Sequence, residues 1–477
     1  MLKGAAGGFV RSNPRSDRFE VHRFHHVEFW CGDAGATASR FARGLGMAKV
    51  AGCDLSTGNA RFASAVLASH DLVLCFTAPY GRQPGDAEED TRPCPLPWFD
   101  TSRAHAFHAA HGLAVRAVGI VVSDAAEAHA AAVAGGAASV LSPRVLDEAE
   151  AVSDPGARFG GSDARVTIAE VRLYGDVVLR LVSGLTGFNG PYLPGWGKAG
   201  DSTRGDWHAP HADSFGLRRL DHAVGNVPVL SEVWDYVQRA TGFHEFAEFT
   251  AEDVGTVDSG LNSVVLASNN ELVLLPINEP TFGTRRKSQI QTYLEHNQGA
   301  GLQHLALKSD DAIDTVAKMR AVGEFDFMPR PSEAYYDALE ARVGKGILSE
   351  EQLRRVRDLG ILVDRDDQGV LLQVFTKPVG DRPTLFVEII QRLGCNVEPG
   401  PPAQRLHEDE GAAPPAKHPH PLRASGAEPP QHYDGQLGGC GGFGKGNFTE
   451  LFKSIEDYER TLDVLDAHDA DTSHTQA

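Results

Sequence analysis

The chain repeats its own order of elements, and duplication on this scale limits the fold more than any single motif. RFHHVEFWCGDAGATASRFARGLG, from Arg23, resembles RRLDHAVGNVPVLSEVWDYVQRATG, from Arg218. Each reads as a short strand, a loop and an amphipathic helix that stops at Leu-Gly or Thr-Gly. VRAVGIVVSDAAEAHAAAV, from Val115, matches LQHLALKSDDAIDTVAKM, from Leu302, again as a strand running into a helix. IAEVRLYGDVVLRLV, from Ile168, and QGVLLQVFTKPVGDRPTLFVEII, from Gln368, both read as two strands joined by a turn. Each half therefore runs through strand, helix and strands twice, which predicts two lobes. The Gly- and Pro-rich stretch 196–214 is the expected linker between a lobe at 1–195 and a lobe at 215–477. Residues 396–436 are Pro-rich, lack hydrophobic periodicity and read as a flexible insertion in the second lobe.

Polar residues interrupt three apolar strands of the second half. His222 lies in LDHAV, His304 in LQHLAL and Glu388 in TLFVEII. A carboxylate inside such a run is costly to bury unless something pairs with it, and a divalent cation would do so. Two imidazoles and one carboxylate form the facial triad of non-haem Fe(II) oxygenases, which leaves open positions on the metal. Any one of the three, taken alone, reads as a satisfied core polar group; the set at corresponding places of a duplicated unit reads as a metal site. The first half is a partial control. His26 aligns with His222, but Val118 falls at the His304 position and Leu179-Arg180 near that of Glu388. One metal per chain, in the second lobe, is the expectation.

Composition removes several alternatives. A formal net charge of −19 opposes binding to nucleic acid or anionic lipid. The six cysteines form no CxxC pair, and reduced thiols in the cytosol are expected. The N-terminal stretch has no apolar core of a secretory signal and no transit peptide is evident, which favours a cytoplasmic location. No apolar run approaches the roughly 18 residues of a membrane span. Gly439 to Lys445 fits GxxxxGK, but Gly446 stands where Ser or Thr is required, so a phosphate loop is rejected. The glycines are expected to let the chain turn close to a pocket. His105, His108 and His111 have helical spacing in the ligand-poor lobe and read as ordinary surface or core histidines. His407, His418, His420 and His432 lie in the Pro-rich insertion and read as solvated.

These segments resemble 4-hydroxyphenylpyruvate dioxygenases of the plant and green-algal type over most of the chain. The most specific stretches are RRKSQIQTYLEHNQGAGLQHLAL, from Arg285, and GGCGGFGKGNFTELFKSIEDYE, from Gly438. The resemblance implies an α+β chain of duplicated vicinal-oxygen-chelate (glyoxalase/bleomycin-resistance-like) βαβββ modules. These would form two open, curved β-barrel lobes with helices outside. It implies Fe(II) at His222, His304 and Glu388, with 4-hydroxyphenylpyruvate and O2 as substrates and homogentisate and CO2 as products. It also implies supply of plastoquinone and tocopherol precursors, tyrosine and phenylalanine breakdown, and a homodimer.

The resemblance further places Phe375, Phe386, Phe443 and Phe448 around the substrate ring. Ser263, Asn278, Gln289, Gln303 and Gln373 would be polar contacts, the three glutamines as catalytic groups and the others as substrate-binding ones. Phe386 and Glu388 are two apart and share one strand face, as do Gln373 and Phe375. Phe448, Leu451, Phe452 and Ile455 form one apolar helix face. That helix, from about 447, either docks on the core or, as the family implies, closes over the pocket. The insertion 396–436 departs from the usual plant pattern, which is shorter here. Rival readings are hydroxymandelate synthase, an extradiol ring-cleaving dioxygenase and a metal-free binding protein on the same fold.

Overall fold

A computed structural model describes residues 9–81, 92–147, 165–186, 188, 190, 192–198, 214–251, 260–282, 287–394 and 438–473, with side chains to residue 461 in the last segment. The insertion 396–436 with its four histidines, and most of the stretch 196–214, lie outside the described residues.

The first sheet is built from β1 (Val21–Trp30), β2 (Ala48–Cys53), β3 (Phe62–Ser69), β4 (Leu72–Pro79), β5 (Ala114–Val122), β6 (Ser139–Asp147), β7 (Arg165–Tyr174), β8 (Val177–Ser183) and the two-residue β9 (Gly197–Lys198). Helices α1 (Ala34–Leu45), α2 (Thr101–His111) and α3 (Ala125–Ala134) connect them. The second sheet holds β10 (Leu217–Asn226), β11 (His244–Phe249), β12 (Leu261–Ala267), β13 (Leu274–Pro280), β14 (Gly301–Ser309), β15 (Leu362–Arg365), β16 (Gly369–Phe375) and β17 (Phe386–Gly394). Its helices are α4 (Leu230–Thr241), α5 (Gln289–His296), α6 (Ala312–Val322), α7 (Glu333–Asp337), α8 (Leu339–Val343) and α9 (Glu350–Leu359), and α10 (Phe448–Ser473) follows the sheet.

The strand orders are β9-β2-β3-β4-β1-β5-β8-β7-β6 and β11-β12-β13-β10-β14-β17-β16-β15. Apart from β9 the two are the same order, and the strand directions agree as well. β1 with β4, and β10 with β13, are parallel; β1 with β5, and β10 with β14, are antiparallel. The duplication read from the sequence is therefore two βαβββ modules per sheet. Helices α7, α8 and α9 have no counterpart in the first half, where α3 leads to β6 directly.

The periodic pattern positions the helices. Asp33 caps α1 by accepting from the Ala36 amide at 2.7 Å, and Gly46 ends it at φ 61°. Gly242 ends α4 in the same left-handed conformation at φ 79°, and a Cβ there would lie 2.1 Å from the Ser16 carbonyl oxygen. The N-terminal segment thus crosses onto the second half, where only glycine leaves it room. The apolar core is continuous across both halves, as Phe41 against Phe325 shows with ring centroids 5.1 Å apart.

Asp17 lies on that crossing segment. Its Oδ2 accepts from the Asn269 amide at 2.7 Å, while its Oδ1 is buried without a hydrogen-bond partner. Burial outweighs that hydrogen bond and the nearby His244, and raises the carboxyl from 3.8 to about 6. The folded value exceeds the unfolded one, so folding favours the protonated form. That stabilisation is complete below the ordinary value and is lost as pH rises through about 6. Asp17→Asn should therefore raise the thermal midpoint at pH 8 but not at pH 4, a gain of roughly 1–3 kcal/mol. Equal shifts at the two pH values would contradict this origin.

Candidate metal centre

The register of the second sheet builds the site. His222 on β10 pairs with Ala306 on β14, and Ala306 pairs with Glu388 on β17. Glu388 in turn pairs with Phe375 on β16. The four residues form one row across neighbouring strands, so their side chains leave the same face. His304 is two residues before Ala306 and shares that face. The small Ala306 side chain leaves space between the three larger ones.

One donor atom from each of His222, His304 and Glu388 lies within 4.8 Å of the others, and no other such group occurs among the described residues. His222 Nε2 and His304 Nε2 are 3.2 and 3.5 Å from Glu388 Oε2. The outer nitrogens are fixed. His222 Nδ1 is 2.9 Å from Asp221 Oδ2, and His304 Nδ1 is 2.9 Å from Gln303 Oε1. Both oxygens can only accept, so each Nδ1 carries a proton, and a metal that displaced the proton of each Nε2 would meet a lone pair turned inward. Burial pushes the Glu388 carboxyl up, but the hydrogen bonds and charges of His222 and His304 overcome it and hold the group at about 2. Two inward imidazole nitrogens beside a buried carboxylate suit a divalent transition metal.

The three donors lie in a pocket lined mostly by apolar and aromatic side chains with a few polar groups among them, the usual make-up of a small-molecule site. Ser263, Asn278, Gln289, Gln303 and Gln373 all line it, and so do Phe375, Phe386, Phe443 and Phe448. The Phe386 ring stacks on His304 at 4.7 Å and 17°, and Phe443 lies edge-on to His222 at 5.0 Å. Gln373 Oε1 is buried without a hydrogen-bond partner, so it can accept from a ligand. Asn278 donates to Asn226 Oδ1 at 3.2 Å. Leu451, Phe452 and Ile455 on the apolar face of α10 line the cavity as well. Sequence reasoning did not single out Val224, Phe249, Leu261, Val265 or Pro276, which also line it. Val224 could have been found, since it is two residues after His222 and so on the same face.

The glycine loop before α10 has φ of 63°, 76°, 71° and 74° at Gly439, Gly441, Gly442 and Gly444. A Cβ on Gly444 would lie 2.5 Å from Gln373 Oε1, so the loop does run close beside the pocket. His111 of α2 is buried 2.6 Å from the Asn297 carbonyl, whereas His105 and His108 lie near the carbonyls of Tyr80 and Gly112. The three do not converge. Cys31, Cys53, Cys75 and Cys94 are free thiols, but Cys440 is disulfide-bonded, which corrects the expectation of reduced thiols throughout.

The first half shows what became of the equivalent place. His26 pairs with Gly119, Gly119 with Arg180, and Arg180 with Glu170. Arg180 thus occupies the Glu388 position. Two residues before Gly119 stands Ala117, so Ala117, not Val118, is the counterpart of His304; the register corrects the alignment by one residue. The Arg180 guanidinium donates to His26 Nε2 at 3.1 Å and pairs with Glu28 and Glu170 at 2.7 Å each. Burial, with His25 and Arg180 nearby, keeps His26 far below its ordinary value and therefore neutral. A built-in cation fills the place that a metal would take. Arg180→Met should destabilise the protein by about 3–5 kcal/mol, because it leaves buried carboxylates uncompensated. Urea unfolding checks this, and an unchanged midpoint would contradict it.

No protein-family model matches the chain. Relatives named 4-hydroxyphenylpyruvate dioxygenase do: that of Plectranthus scutellarioides is 54% identical over 95% of this chain and 92% of its own length. Those of Daucus carota and Arabidopsis thaliana are 53% and 52% identical over 96% of this chain, and over 91% and 92% of their own. Among solved structures, a triple mutant of 4-hydroxymandelate synthase from Streptomyces coelicolor superposes with a TM-score of 0.61 at 22% identity, over 79% of this chain and 94% of that one. Sheet order and paired modules are those of the vicinal-oxygen-chelate fold, here with a candidate metal site. The identities, sustained over nearly the full length, carry the assignment further: the chain belongs to the 4-hydroxyphenylpyruvate dioxygenase family.

Proposed function

We propose that the chain converts 4-hydroxyphenylpyruvate and O2 to homogentisate and CO2, with one Fe(II) held by His222, His304 and Glu388. The observation that carries the proposal is the convergence of these three donors at the floor of an aromatic pocket. Bound Fe(II) would supply a chelation point for the 2-oxo acid and the activation of O2. The protein's own residues do the rest. Asp221 and Gln303 hold the two imidazoles with their Nε2 lone pairs inward. Phe375 and Phe386 flank the substrate ring, and Phe443 and Phe448 exclude water from above it. Gln373, whose Oε1 is buried without a hydrogen-bond partner, accepts a hydrogen bond from the phenol hydroxyl; Gln289, Asn278 and Ser263 complete the polar wall and set the ring for attack at the carbon bearing the side chain.

The lobe division at 1–195 and 215–477 belongs to the same proposal and is supported by the matching strand orders. A cytosolic homodimer that feeds tyrosine breakdown and plastoquinone and tocopherol synthesis is carried over from the family. Among the described residues, no helix is long and apolar enough to cross a membrane. The test is anaerobic reconstitution with Fe(II), followed by product identification with 4-hydroxyphenylpyruvate. Homogentisate is expected. Hydroxymandelate would assign the synthase reaction instead, and no turnover with no bound iron would leave a binding protein.

A further inference from the structure

Arg392 is a charged side chain with no exposed surface, and it is not one of the residues that line the pocket. Its Nε and Nη2 donate to the two oxygens of Asp221 at 3.0 and 2.6 Å. Asp221 is the residue that holds His222 Nδ1. On its other side Arg392 Nη1 donates to the Gly442 carbonyl at 2.7 Å and to that of Cys440. Those carbonyls belong to the glycine loop that leads into α10. Phe443, the next residue, lies 5.7 Å from the guanidinium and returns to the His222 ring at 5.0 Å. His222, Asp221, Arg392, the loop and Phe443 thus form a closed ring of contacts.

The duplication shows that this ring is not part of the shared scaffold. Aligning Arg180 with Glu388 puts Gly184 at the Arg392 position, and aligning His26 with His222 puts His25 at the Asp221 position. The Asp221–Arg392 pair occurs in the half that holds the donor cluster and receives the C-terminal segment. A rigid, bidentate fork suits a residue that must satisfy a carboxylate and loop carbonyls at once.

We propose that Arg392 is a positioning residue that couples the seating of α10 to the orientation of His222. The loop carbonyls dock where Asp221 has fixed the guanidinium, and Asp221 orients His222 where the guanidinium is held by the loop. Ordering the metal ligand and closing the pocket then become one event. The proposal rests on the reading of His222 as a metal ligand.

The experiment uses the full chain, free of metal and titrated with Co(II), whose visible absorption reports its ligands. Hydrogen exchange is followed at residues 438–461 and, as a control, in β1 and β5. In the unaltered protein Co(II) binding should slow exchange in 438–461 by at least about tenfold. In Arg392→Met that metal-dependent slowing should vanish, and Co(II) affinity should fall by about 10–100-fold, with β1 and β5 unmoved. Arg392→Lys should restore charge without the fork and recover only part of the coupling. The double variant Asp221→Asn, Arg392→Met leaves no buried carboxylate unpaired; it keeps the test open if the single change fails to fold, and it too should lose the slowing. Metal-dependent protection that persists in these variants would overturn the proposal, as would weaker Co(II) binding with protection unchanged. If the unaltered protein takes up no Co(II), the metal reading itself fails and the proposal falls with it.

Discussion

Glu388→Gln should lower metal affinity by at least about 10²-fold and abolish turnover at low Fe(II). An outer-shell partner of a ligand is worth about 10–100-fold, so a direct ligand sets that as a floor. The change keeps the side chain's size and its place in the row opposite Ala306 and Phe375. What it removes is the negative charge that the two imidazoles face at 3.2 and 3.5 Å. A neutral amide oxygen is a poorer donor to a divalent cation, and two imidazoles alone leave the cation uncompensated inside an apolar pocket. Folding should survive, because no larger group is introduced. Iron content after anaerobic loading and dialysis, measured beside turnover, checks the expectation. One iron per chain with near-normal turnover would remove Glu388 from its assigned role.

Ending the chain at residue 437 should reduce turnover by about 10²-fold or more while leaving an iron-binding fold at saturating Fe(II). The deletion takes away Phe443, Phe448, Leu451, Phe452 and Ile455, which are one wall of the pocket. Phe452 is 1% exposed and lies among the aromatic residues beside β11 and β12, so the helix is seated on the core rather than merely near it. Without that wall water would reach the proposed reacting centre, and a substrate ring held as proposed would lose two of its four aromatic neighbours. Small misplacements of a substrate are enough for losses of this size. Circular dichroism and iron binding establish that the shortened chain is folded, and turnover then decides. Full activity would mean that α10 is a docked helix with no part in closing the pocket.

Much of this was legible in the sequence, for a physical reason. Strand and helix periodicities are local, so the segments from Arg23 and Arg218 revealed the duplication before any contact was known. His222, His304 and Glu388 stood out because each is a polar residue inside an apolar run. What was lost depended on register. A slip of one residue exchanges the two faces of a strand, and the placement of Val118 at the His304 position was such a slip. Arg180 was noticed only as an absence of a carboxylate. That its guanidinium occupies the vacant site follows from pairings among four strands, which no local pattern records. Asp221 and Arg392 were missed likewise, since they meet across β10 and β17, far apart in the chain. Helices α7, α8 and α9 lie between repeated segments and had no partner to announce them.

The central claim is that two imidazoles and one carboxylate from three adjacent strands hold a single iron. Anomalous diffraction from crystals grown with Fe(II) under anaerobic conditions tests it most directly. One iron peak per chain is expected, within bonding distance of His222 Nε2, His304 Nε2 and the Glu388 carboxylate, and none beside His26. A peak elsewhere, or an empty floor between these three side chains, would contradict the account.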